Sequence, residues 1–137
     1  MQEKHWHLKQ CPLFEKLSSE QVLSLESVSQ SRTFDKGSMV YMPADAGESV
    51  MLLTTGRIKL YHITPEGKQT LLALIEPGEI FGELAVFESG GREEFAETML
   101  KSTLIKIPRQ AIQELMESHA NVAVGVTKLM GFRRRRV

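Results

Sequence analysis

One cysteine, one tryptophan and two tyrosines in 137 residues leave little room for several kinds of chemistry. Cys11 standing alone excludes an internal disulfide and any iron–sulfur cluster held by four cysteines of one chain. Its neighbours Pro12, Leu13 and Phe14 mark it as a half-buried small hydrophobe rather than a redox switch. No apolar run approaches the roughly 20 residues needed to span a bilayer, so no membrane partner is expected. The N-terminal "MQEKHWHLKQ" lacks the apolar core of a secretory signal. A cytoplasmic setting is expected. Charge of one sign is also missing, since 17 basic residues balance 17 acidic ones. Nucleic-acid binding by this chain alone is therefore not expected. Arg133 to Arg136 are the exception; without them 13 basic residues face 17 acidic ones, a net of −4. That run reads as a solvated helix face ahead of a DNA contact.

What is present is an apolar fraction of 42%, enough for one core. Ser18 and Gln21 have the spacing of a capping box, and Val22, Leu25 and Val28 follow at three-residue steps. A short amphipathic helix is expected over 19–29. From Arg32 onward, short β-rich runs alternate with glycine or proline turns about every ten residues, the mark of an antiparallel sandwich or barrel. Thr64-Pro65-Glu66-Gly67 suits a type I turn joining strands 57–64 and 69–76. Two more strands are expected near 94–100 and 102–107, and Pro108 then opens a helix with Ile112, Leu115 and Met116 on one face. The last segment reads as the start of a longer helix. Ala123, Val126, Met130 and Val137 form one stripe and Val122, Leu129 and Phe132 another. One stripe would cover the barrel and the other meet a partner helix in a parallel dimer, unless both pack within one chain. The chain stops within this helix, so a longer protein is expected.

"GEIFGELAVFESGGREEFAE", residues 78–97, is the chemically suggestive stretch. Phe81-Gly82-Glu83-Leu84 should leave a strand and begin a helical turn, whose free amides attract anions. Gly82 permits close backbone approach, Glu83 offers an acceptor for a sugar hydroxyl, and Arg92 offers a planar fork for phosphate. Each residue also has an ordinary reading: a tight turn, a cap, a surface ion-pair partner. Taken singly, those readings are favoured.

Taken together, the capped helix, the β-rich centre, "FGELAVF", an arginine about ten residues later and the terminal helix resemble the Crp/Fnr transcription regulators. "LLTTGRIKLYHITPEGKQTLLALIEPGEIFGELAVF" is similar to the central pattern of their sensor half. The resemblance implies a mainly β fold with flanking helices, a jelly-roll double-stranded β-helix of the cyclic-nucleotide-binding type carrying a long C-terminal dimerisation helix. It implies a sensor over 1–119, the start of that helix over 120–137, and a DNA-binding winged helix-turn-helix beyond 137. DNA would be met only through that later domain; the partners implied are a second copy of the chain and a small effector such as cAMP. No catalytic residue and no metal follow from it.

The same resemblance implies site residues. Gly82, Glu83 and Leu84 would hold the ligand, with Glu83 on the ribose 2′-hydroxyl. Counting back from Ile107 places Arg92 on the phosphate-binding arginine. The family follows that arginine with Ser or Ala, whereas this chain has Glu93 and Glu94. A carboxylate beside a phosphate repels it by on the order of 1 kcal/mol at about 4 Å in water, and by more when partly buried. Glu93 is expected beside the phosphate position, able to neutralise Arg92. The cradle therefore reads as half kept.

Two rivals stand beside this reading. A haem-based gas sensor of the same fold needs an axial ligand, and only His62, or His5 and His7, are placed for it, with no His or Cys between Ile63 and Ser118. On a helix His5 and His7 would diverge. A cupin-like metal enzyme needs converging His and carboxylate ligands on neighbouring strands, and only His62 falls on an expected strand. A cyclic-nucleotide domain regulating a kinase, channel or exchanger is the third possibility, less suited to the terminal helix.

Overall fold

The computed structural model describes residues 3–83 and 92–135. Helix α1 (Glu3–Gln10) leads into a single 3-10 turn at Pro12–Phe14 and helix α2 (Ser19–Val28). The expected capping box starts α2: Ser18 Oγ accepts from the Gln21 amide at 3.2 Å, and Gln21 Oε1 accepts from the Ser18 amide at 2.8 Å. At its other end Lys4 Nζ donates to the carbonyls of Glu26 and Ser29, placing a cation at the helix C-terminus. Val22 and Leu25 are buried as their spacing predicts, but Val28, at the last turn, is half exposed. His5 and His7 lie on α1, and no helix among the described residues is long and apolar enough to cross a membrane.

Among the described residues eight strands follow: β1 (Gln30–Phe34), β2 (Met39–Tyr41), β3 (Ser49–Thr55), β4 (Ile58–Ile63), β5 (Gln69–Ile75), β6 (Ile80–Phe81), β7 (Phe95–Thr98) and β8 (Ser102–Pro108). They form two antiparallel sheets, ordered β1-β8-β3-β6 and β2-β7-β4-β5. The β4–β5 hairpin closes at the expected turn, with Gly67 at φ +89° and its amide donating to the Thr64 carbonyl at 2.8 Å. Helices α3 (Arg109–Ser118) and α4 (Ala120–Arg135) complete the described chain. The result is the jelly roll with flanking helices that the motif order implies.

Strand β3 explains why its sequence, Val50-Met51-Leu52-Leu53, is apolar without alternation. Side chains alternate between the two faces of a strand, and here both faces are covered. Val50 and Leu52 join the core beneath the helices, with Leu8, Phe14, Ile105, Ile112, Val122 and Val126. Met51 and Leu53 enter the core between the sheets, with Tyr41, Ile58, Phe81, Ala96 and Leu104. Cys11 belongs to the helical core and is only 2% exposed, more deeply buried than its position implied.

The terminal helix corrects one expectation. Val126 is 1% exposed and Val122 0%, and Leu129 packs against the same core, so Val126 of the first stripe shares an inward face with Val122 and Leu129 of the second. Positions four residues apart on a helix diverge by only about 40°, which puts 122 and 126 together. Val126 therefore serves the chain's own core rather than a partner. Ala123 is partly exposed and Val124 half exposed. The side chain of Met130, and Val137 altogether, lie outside the described residues.

Candidate functional site

Strand β6 pairs with β3 through Met51↔Phe81 and Leu52↔Ile80, and the chain then turns away at Gly82. Gly82 has φ +75°, where a side chain is strained. A Cβ there would also lie 2.8 Å from Met51 Cε and 2.9 Å from Arg92 Nη1. Glycine is thus favoured by conformation, and a methyl would press on the ends of Met51 and Arg92. Glu83 follows and is buried, 6% exposed. Leu84 lies outside the described residues.

Arg92 approaches the same turn from the other side. Its backbone is fixed by the loop after β2: the Arg92 amide donates to the Asp45 carbonyl at 2.8 Å, and the Ala44 amide donates to the Arg92 carbonyl at 2.9 Å. The loop itself is tightened by the Met42 amide donating to Asp45 Oδ2 at 2.9 Å, with Ala44 at φ +77°. Arg92 Nη1 donates to the Gly82 carbonyl at 2.8 Å, and Nη2 donates to the Ser49 carbonyl. The guanidinium carbon lies 4.3 Å from the centroid of the Tyr41 ring. The expected partnership of Gly82 and Arg92 is thus a direct contact. One donor is left over: Arg92 Nε is buried and, among the described residues, has no hydrogen-bond partner.

The two acids after Arg92 part company. Glu93 is exposed, in the segment just before β7. Glu94 turns inward and accepts a hydrogen bond from the Tyr41 hydroxyl at 2.6 Å. Among the described residues neither acid forms an ion pair with Arg92, so its charge is not neutralised by them. Tyr41 stacks on Phe81 with ring centroids 6.3 Å apart. Burial holds its phenol well above the ordinary range, and the charge of Glu94 and its hydrogen bond push the same way. Tyr41 therefore stays a donor at any physiological pH.

Tyr41 is the residue the sequence reading missed. Its signal is faint: β2 is three residues long, and Tyr41 is its one buried position. His62, the strand histidine considered for a metal or haem, is exposed on β4. Among the described residues no group of three His, Cys, Asp or Glu side chains is placed to hold a metal.

Comparison with known proteins decides the family. The sequence model of the cyclic nucleotide-binding domain matches residues 31–119, more than half of the chain. The chain belongs to the cyclic nucleotide-binding domain family. Among its relatives, the cyclic AMP receptor protein of Thermus thermophilus is 29% identical over 93% of this chain and 59% of that protein. The CRP-like cAMP-activated global transcriptional regulator of Mycobacterium tuberculosis is 22% identical over 94% of this chain and 58% of its own length. The chain thus spans about three fifths of these regulators. In fold it is similar to the sensor domain of the transcriptional regulator DNR from Pseudomonas aeruginosa, with a TM-score of 0.84 at 23% identity, covering 97% of this chain and 91% of that one. This cyclic nucleotide-binding domain has the Crp/Fnr-type relatives that its motifs imply.

Proposed function

We propose that this domain is the effector-sensing part of a Crp/Fnr-type transcription regulator, and that its effector presents an oxyanion to Arg92. The observation that carries this is the buried Arg92 Nε beside the Gly82 turn, which has no hydrogen-bond partner among the described residues. A buried donor without an acceptor costs about 1–3 kcal/mol, and more on a charged group, so such a group is retained where an acceptor arrives. Glu83, buried one residue after Gly82, is the acceptor for a ligand hydroxyl. A cyclic nucleotide supplies both chemistries, and cAMP is the first candidate.

Strand β3 offers a route from this site to the helices. Met51 faces Gly82, while its neighbours Val50 and Leu52 touch the core that contains Val122 and Val126 of α4. An effector that fits one placement of β3 better than another shifts α4 with it. In this reading residues 1–119 sense, α4 carries the signal across a homodimer, and DNA is contacted by a winged helix-turn-helix beyond Val137.

Calorimetric titration with cAMP, with cGMP for comparison, tests the reading. Saturable binding that disappears in Arg92→Met is expected. Absence of heat with either nucleotide, or binding indifferent to Arg92→Met, would overturn it.

A further inference from the structure

Arg92 is held by two backbone carbonyls and an aromatic ring. A guanidinium carries five N–H donors in one plane, and two of its nitrogens here donate to the Gly82 and Ser49 carbonyls. The guanidinium carbon lies over the Tyr41 ring, 4.3 Å from its centroid. The remaining donors, including the buried Nε, lie in the plane, so an acceptor must approach edge-on.

The ring that sets this geometry is itself set. Tyr41 is registered opposite Ala96 in the β2–β7 pairing, which brings Glu94, two residues earlier, within reach of the phenol. The hydroxyl is tied to Glu94 Oε2 at 2.6 Å, and the ring leans on Phe81. Phe81 in turn precedes Gly82, whose carbonyl receives Arg92 Nη1. The chain of contacts therefore runs from Glu94 through Tyr41 to Arg92. An acid in a site meant for an anion has a purpose here: it holds the phenol instead of the guanidinium.

We propose that Tyr41 and Glu94 are positioning residues that orient the Arg92 fork for an in-plane oxyanion, Glu94 acting through Tyr41. The proposal rests on the reading that Arg92 receives an oxyanion, but it can be tested apart from that reading. Neither residue need touch the ligand.

The test is the NMR signal of the Arg92 side-chain Nε–H, measured for hydrogen exchange in the full chain. Wild type is compared with Tyr41→Leu, Tyr41→Phe, Glu94→Ala and Glu94→Gln, and each is titrated with cAMP and with inorganic phosphate. Losing one well-formed hydrogen bond or a buried cation–ring contact corresponds to about tenfold in an equilibrium. Exchange at Nε–H is therefore expected to rise about tenfold in Glu94→Ala and in Tyr41→Leu. Glu94→Gln keeps an acceptor for the phenol and is expected to restore the wild-type rate. cAMP affinity should weaken and recover in the same order. A purely structural role would shift melting temperature without singling out this one resonance.

Unchanged Nε–H exchange in Glu94→Ala and Tyr41→Leu would overturn the proposal, whatever happens to binding. Should Tyr41→Leu fail to fold, the comparison of Tyr41→Phe and Glu94→Ala with Glu94→Gln decides in its place. If exchange responds as expected but the wild type binds neither probe, the positioning pair stands and the oxyanion reading falls.

Discussion

Arg92 and Tyr41 face each other at 4.3 Å, and the arginine uses its two terminal nitrogens on backbone carbonyls rather than on a carboxylate. This makes the residue structural before any ligand arrives. It joins β3 through Ser49, the β6 turn through Gly82 and β2 through Tyr41.

Arg92→Lys should expose both roles. An ammonium is a point charge and cannot reproduce the planar fork across two carbonyls and a ring. The expected loss is about 1–3 kcal/mol of stability, with one carbonyl left unpaired. Binding of cAMP should weaken by at least about tenfold. Chemical denaturation and calorimetry of the same variant read the two effects separately; wild-type stability would show that the carbonyl contacts are incidental.

Gly82→Ala is the complementary change. The added methyl meets Met51 Cε at 2.8 Å and Arg92 Nη1 at 2.9 Å while the backbone sits at φ +75°. Both neighbours are side-chain ends, so they give way, and Arg92 moves off the Gly82 carbonyl. We expect a loss of about 1–3 kcal/mol from strain and displacement. The Arg92 Nε–H resonance should shift in this variant; an unmoved resonance with normal stability would refute the close contact.

Much of this architecture is legible in the sequence because it rests on local rules. The capping box at Ser18 and Gln21, the Thr64–Gly67 turn and the β-rich texture each follow from a few adjacent residues. Gly82 and Arg92 are legible as a pair through their resemblance to a known motif, and they do meet. What stays hidden is nonlocal. Glu93 and Glu94 are neighbours of like charge, and only the approach of Tyr41 from β2 decides that the second accepts a bond from the phenol. Tyr41 reaches Arg92 across 51 positions of sequence, through a strand three residues long. Val126 misled for another reason: three- and four-residue spacings both fit one face of a helix, so it reads with Ala123 yet packs with Val122 and Leu129.

That face gives a test of self-association. Val126 is buried and Val124 is half exposed on the same helix. Val126→Asp should unfold the domain by burying an unpaired charge, a loss of several kcal/mol. Val124→Asp should leave stability within about 0.5 kcal/mol, as surface changes do, and convert a dimer to monomer if α4 forms the interface. Sedimentation velocity with both proteins at equal concentration distinguishes the two outcomes. A wild type that is monomeric at high concentration would remove the homodimer from the proposed mechanism.

Cys11 carries a prediction about alkaline pH. Burial raises its thiol from 9.0 to about 11, against a smaller opposing effect of backbone hydrogen bonds from Leu13 and Phe14. The folded state therefore holds this proton more tightly than the unfolded chain does. Its contribution is fully present below pH 9 and is lost as pH rises through about 11. At about 1.4 kcal/mol per pH unit, wild type should lose about 2 kcal/mol from this group between pH 8 and pH 11. Tyr61, raised to about 12 by burial and by its bond to Glu97, adds to the decline over an overlapping range. Cys11→Ala removes the thiol's share alone, so the variant should start less stable at pH 8 and fall less steeply. Denaturant titrations of both proteins at the two pH values isolate this difference. Equal slopes would mean that the thiol ionises freely in the folded chain, and it should then react with a disulfide reagent at pH 8 without denaturant.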